Sequence, residues 1–367
     1  MSAPAPRPGI MDIRPYVGGE SALEGVSRVI KLSSNEGALG PSPKAMAALA
    51  ELGPESHRYP DGGATRMRAA LAAHYGLDPD RIVCGAGSDE LLGLLCRSYV
   101  GPGDEVLQSE HGFLMYAIAA KASGATPVKA AEIDLVASVD NLLAAVTPRT
   151  KVVFLANPNN PTGTYLPTAE VARLRAGLRD DILLVLDAAY AEFVTAEDYS
   201  CGNELVDAGE NTVVCRTFSK IYALGGLRLG WAYCPASIAD VLNRTRNPFN
   251  VSAAALAAGE AALADGDHFA RVKAHNDAWR PWLTDKLAAL GLTVVPSVTN
   301  FILVRFPQRP GQTAADADVF LRRRGLIVRA MAGYGLGDSL RITIGTGEEN
   351  EAVAAALAAF VASGAEG

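Results

Sequence analysis

Residues 212–231 read TVVCRTFSKIYALGGLRLGW. The stretch opens as a continuous apolar run, the pattern of a strand covered on both faces. Lys220 follows at once, with Ser219 before it and Ile221-Tyr222-Ala223-Leu224 after it, and Arg228 stands beyond Gly225-Gly226. A lysine enclosed by apolar residues is rarely buried without a partner. The bland alternatives are a snorkelling surface lysine and a surface ion pair for Arg228.

Six further runs of the same kind lie upstream and just downstream: RIVCG (81–85), DEVLQ (104–108), TPVKA (126–130), KVVFLA (151–156), DILLVLD (181–187) and GWAYC (230–234). Helical patterns separate them. Apolar strands alternating with helices predict an α/β fold, a mostly parallel seven-stranded sheet flanked by helices. One long helical pattern, about 253–290, then leads to LTVVPS, NFILVRF, GLIVRA and LRITIG, which predict a smaller α+β unit. The expected division is 1–42 as an N-terminal arm with part of the small domain, 43–250 as the large domain and 251–367 as the small C-terminal domain.

The chain has 367 residues, 49% hydrophobic, with a formal charge of −7. That supports a large core and gives no basic surface for nucleic acid or anionic membrane. Five scattered cysteines without C-x-x-C argue against a disulfide framework or a zinc site, so no metal is expected. The first residues lack the apolar region of a secretory signal, and the alanine-rich run near the end is too short to span a bilayer, so a cytoplasmic location is expected.

In an open α/β sheet, ligands bind outside the carboxyl ends of the strands. After RIVCG come Gly85, Ala86, Gly87 and Ser88, then Asp89 and Glu90 opening a helix. Such a start can cradle phosphate, or can be an ordinary helix capped by Ser88. Glu90 breaks the dinucleotide pattern G-x-G-x-x-G, and no P-loop signature occurs. After KVVFLA comes NPNNPTG (157–163), a turn that fixes Asn160. After ILLVL comes Asp187, a carboxylate set deep, with Tyr190 close behind. After TVVCR come Thr217, Ser219, Lys220 and Arg228. Each has a bland reading alone; four together at one sheet edge point to one ligand, pyridoxal 5′-phosphate. Lys220 would form an imine with its aldehyde. Asp187 would pair with the ring nitrogen, and Asn160 and Tyr190 would bond the phenolic oxygen. Gly87, Ser88, Asp89, Thr217, Ser219 and Arg228 would hold the phosphate.

With NPTG at 160–163, D-x-x-Y at 187–190 and S-K…R at 219–228, the chain resembles the fold-type I pyridoxal-phosphate aminotransferases. More narrowly it is similar to the histidinol-phosphate aminotransferases, through RPYVGG (14–19), KLSSNEG (31–37), RYPDGG (58–63), GAGSDELL (85–92), TNFILVRF (299–306) and LRITIGT (340–346). The resemblance runs from about Arg14 to the last helix. It implies ping-pong transamination between histidinol phosphate and 2-oxoglutarate. It implies that Phe113 stacks on the cofactor ring and that Tyr59 reaches the cofactor phosphate of a partner subunit, which makes a homodimer with shared sites. It implies substrate contacts from Tyr16, Asn35, Arg329 and Arg341. An aromatic amino-acid aminotransferase is the alternative within the family, a phosphothreonine-type decarboxylase a weaker one, and a non-catalytic cofactor-binding protein the alternative outside it. The five histidines form no triad and no metal spacing.

Overall fold

A computed structural model describes residues 4–16, 18–25 and 28–364. Val17 of the RPYVGG motif lies outside them. Among these residues the strands are β1 Ile30–Lys31, β2 Ile82–Gly85, β3 Glu105–Ser109, β4 Thr126–Ala130, β5 Thr150–Ala156, β6 Leu183–Asp187, β7 Thr212–Thr217, β8 Gly230–Tyr233, β9 Thr293–Val295, β10 Phe301–Arg305, β11 Leu326–Ile327, β12 Arg329–Ala330 and β13 Ser339–Thr343.

The main sheet has seven strands in the order β2-β8-β7-β6-β5-β3-β4. Only β8 runs against its neighbours. Val, Leu and Ile dominate β5 to β7 because helices cover both faces, so no solvent-side polar alternation survives. One hydrophobic cluster, with Phe154, Val185 and Val213, lies on one face; another, with Leu155, Leu186 and Val214, lies on the other. The register sets the functional edge. Asp187 pairs with Ala156 and Cys215, and Thr217 pairs with Gly230, which pairs with Gly85. The ends of four strands are thus level with one another.

The second sheet is antiparallel, β12-β13-β10-β9, and β1 pairs in parallel with β11. Its apolar side packs under the helix Gly347–Gly364 through Val353 and Leu357.

Two local expectations differ from the structure. The helical pattern at 253–290 is two helices, Ala253–Leu263 and Gly266–Ala288. Asp265 leaves helical geometry at φ −101° and ψ 69°, and its carboxylate accepts from the Ser42 hydroxyl, 223 positions away. That contact is invisible to periodicity. Nor is Ser88 a cap: Gly87 is the N-cap, at φ 83°, and Ser88 is the first residue of the helix Ser88–Tyr99. The N-terminal arm is tied down at two points among the described residues. Lys121 Nζ donates to the Asp12 carbonyl at 3.2 Å and Arg7 donates to the Ala122 carbonyl, which seats this segment on the helix Leu114–Ser123.

Candidate active site

Every predicted site residue except Gly87 and Tyr59 lines one cavity of about 280 Å³ at the carboxyl edge of the main sheet. Gly87 lies just behind it. A Cβ there would stand 2.3 Å from Arg228 Nη2, so only glycine lets the guanidinium reach this position. Tyr59 is elsewhere, 83% exposed and stacked on Phe249 at 4.7 Å between centroids.

Lys220 follows β7 by three residues. Its Nζ donates to the Ser34 carbonyl at 3.3 Å and lies 5.7 Å from the Tyr190 ring centroid. Burial, helped by the nearby Arg341 charge, pushes its pKa down to about 8. An amine so placed is partly neutral near physiological pH and can act as nucleophile or base.

Asp187 ends β6. Its Oδ2 accepts from the Tyr116 hydroxyl at 2.7 Å, and its Oδ1 is buried with no partner among the described residues. Burial raises its pKa to about 6. Tyr116 was missed by the sequence reading because an apolar helix with an aromatic reads as core. It stacks on Phe154 at 4.5 Å and meets Phe113 edge-on at 5.8 Å, so it orders both Asp187 and the predicted stacking ring.

Arg228 is held by Asp89 at 3.3 Å, with its backbone in the left-handed region at φ 58°. Strain of this kind in a non-glycine residue collects at functional sites. Thr217 Oγ1 bonds Ser219 Oγ at 3.0 Å and accepts from the Ser219 N–H at 3.1 Å. Close packing of Gly230 on the Ser88 backbone fixes the helix start, since a Cβ on Gly230 would lie 2.3 Å from Ser88 N. This helix has no side-chain cap bond.

Arg341 is buried in β13. Its Nη1 donates to Asn160 Oδ1, its Nη2 to the Ser33 carbonyl at 2.8 Å, and its Nε has no partner among the described residues. Its neighbours in those bonds are neutral. Arg329 is its cross-strand partner in the β12–β13 ladder, and both line the cavity. Like charges directly opposite each other destabilise a sheet, which suits a place where an anion sits between them. Burial and the Arg329 charge together lower the Arg341 pKa, with burial the larger cause. Asn35, buried, donates to Tyr190 Oη at 2.8 Å. Tyr16 is half exposed at the mouth.

These residues fit pyridoxal phosphate. The orphan Asp187 oxygen matches a protonated ring nitrogen. The uncapped helix start at Ser88, together with Arg228 and Ser219, matches a phosphate. Lys220 matches an aldehyde.

Residues 27–357 match the family described as aminotransferase class I and II. The chain is 75% identical to the histidinol-phosphate aminotransferase of Paramagnetospirillum magneticum, covering 98% of this chain and 99% of that protein. It is 61% identical to the enzyme of the same name from Rhodospirillum rubrum, over 98% and 97% of the two chains. The crystal structure of histidinol-phosphate aminotransferase from Sinorhizobium meliloti in complex with pyridoxal-5′-phosphate superposes with a TM-score of 0.89, at 29% identity over 99% of both chains. Matched to the family over residues 27–357 and 75% identical across nearly its whole length to a protein of that name, this chain belongs to the class I and II aminotransferases, within the histidinol-phosphate aminotransferase family.

Proposed function

We propose that this protein moves an amino group between histidinol phosphate and 2-oxoglutarate, giving imidazole-acetol phosphate and L-glutamate, with pyridoxal phosphate as cofactor. The observation that carries the reading is the convergence of Lys220, the unpartnered Asp187 Oδ1 and Arg341 on one cavity. The 75% identity to a protein of that name supports the substrate assignment over aromatic amino acids.

When bound, pyridoxal phosphate supplies an aldehyde that bonds amines and a ring that delocalises the electron pair left at a substrate Cα. The chain does the rest. Lys220 Nζ, freed by the incoming amine, would take the proton from the substrate Cα and deliver it to the former aldehyde carbon of the cofactor, two atoms away. Asp187 Oδ1 keeps the ring nitrogen protonated, held in rotamer by Tyr116. Tyr190 donates to the phenolic oxygen, and so does the Asn160 amide, whose oxygen is already engaged by Arg341. Arg228, Ser219, Thr217 and the backbone N–H groups at Ser88 and Asp89 hold the phosphate. The Asp89 carboxylate serves by aiming Arg228, since a second anion would repel the phosphate. Phe113 covers one face of the ring. Arg329 and Arg341 hold the dianionic phosphate of one substrate and the carboxylate that takes its place in the other, with Tyr16 and Asn35 at the same end.

Three further assignments complete the reading. The division is at 43–250 and 251–367, supported by the two separate sheets and by β1 pairing with β11, although the helix Ala253–Leu263 packs into the core beneath the main sheet. The working form is a homodimer in which Tyr59 serves the site of the second copy; its wide exposure beside the half-exposed Phe249 supports this. The protein works in the cytoplasm, and no helix among the described residues is long and apolar enough to cross a membrane.

The test is paired kinetics on the cofactor-loaded protein with 2-oxoglutarate as acceptor. A kcat/KM at least about tenfold higher for histidinol phosphate than for phenylalanine, roughly 1.4 kcal/mol, supports the reading. A preference for phenylalanine keeps the chemistry and overturns the substrate.

A further inference from the structure

Asn35 is 1% exposed, with its backbone in the left-handed region at φ 55°, which asparagine tolerates better than most residues. Three bonds lock it. Its N–H donates to Thr343 Oγ1 at 2.9 Å, its carbonyl accepts from Asn300 Nδ2 at 3.1 Å, and its Oδ1 accepts from the Thr343 hydroxyl at 3.3 Å. With the amide oxygen so engaged, Nδ2 faces Tyr190 Oη at 2.8 Å. An amide NH2 only donates. The Tyr190 oxygen therefore accepts here, and its own proton must point elsewhere. Tyr190 lines the cavity, so the open direction is inward.

We propose that Asn35 is a positioning residue which aims the Tyr190 hydroxyl proton at the phenolic oxygen of the cofactor. This rests on the pyridoxal-phosphate reading above and gives Asn35 a task other than holding substrate. The same short segment accepts from Lys220 at the Ser34 carbonyl and from Arg341 at the Ser33 carbonyl. It thus reaches the proton-transfer lysine, the phenol donor and the anion site from the side of β13.

The experiment is a pH titration of the visible absorbance of the loaded, substrate-free protein, in wild type, Asn35→Asp, Tyr190→Phe and the double variant. Aspartate keeps the shape and tolerates the backbone conformation, but accepts where asparagine donates, so it turns the Tyr190 proton away. A phenolic oxygen that loses its donor keeps more negative charge beside the Lys220 nitrogen, which then holds its proton more tightly. The expected result is a transition shifted upward by about one unit in Asn35→Asp and in Tyr190→Phe. In the Tyr190→Phe background, Asn35→Asp should then add less than half of its own shift. No shift in Asn35→Asp, or a shift of which half or more persists without the Tyr190 hydroxyl, overturns the proposal. Thermal unfolding of each cofactor-free variant confirms that it is folded. Failure of the wild type to develop the absorbance at all refutes the cofactor reading, and is read separately.

Discussion

Replacing Lys220 with methionine should make the cofactor-free protein more stable and abolish transamination. Methionine has a similar reach and no charge. The lysine amine is held near pKa 8, chiefly by burial, against 10.5 for the free group. Above pH 10.5 it is neutral in the folded and unfolded chain alike and has no effect. As pH falls from 10.5 to 8, the unfolded chain takes up the proton first, so stability is lost; below 8 the loss is complete and constant. The full shift corresponds to roughly 3 kcal/mol at pH 7 and about 0.5 kcal/mol at pH 10.5. Residual exposure of the side chain reduces the first figure to about 2–3 kcal/mol. Loss of the bond to the Ser34 carbonyl offsets about 1 kcal/mol at either pH. The variant should therefore be about 1–2 kcal/mol more stable at pH 7, and level with or slightly below wild type at pH 10.5. Urea denaturation of both proteins, stripped of cofactor, measures this. A stability difference that does not change between the two pH values would refute the argument that Lys220 is a desolvated amine.

Arg341→Lys keeps the charge and loses the fork that engages Asn160 and the Ser33 carbonyl. Its kcat/KM for the phosphate ester should fall by about a hundredfold, roughly 2.7 kcal/mol, with little change in cofactor affinity by absorbance titration. Gly87→Ala places a methyl 2.3 Å from Arg228 Nη2 at a positive φ, so cofactor dissociation should rise about tenfold while the apo fold persists. A mixture of Lys220→Ala and Tyr59→Ala proteins, refolded together, should regain activity that neither has alone, because one hybrid site keeps both groups. No regain in a mixture that chromatography shows to be dimeric would remove Tyr59 from the shared site.

The sequence by itself determined the strands of the main sheet, because fully buried parallel strands are written as unbroken apolar runs such as ILLVL before Asp187. It also placed the polar residues that follow those runs. The chain rule for open sheets then brings Asp187, Asn160, Lys220 and the Ser88 turn to one edge without any knowledge of contacts. The tertiary structure decided what each of these residues bonds. Arg341 reaches Asn160 across 181 positions and Asn35 reaches Tyr190 across 155, and neither separation leaves a trace in local periodicity. Tyr116 reads as core on its helix, yet its hydroxyl holds Asp187. The helix break at Asp265 likewise depends on Ser42. Periodicity reports which face of an element is buried. Direction, proton and partner belong to side chains that meet only once the two sheets have closed on the same cavity.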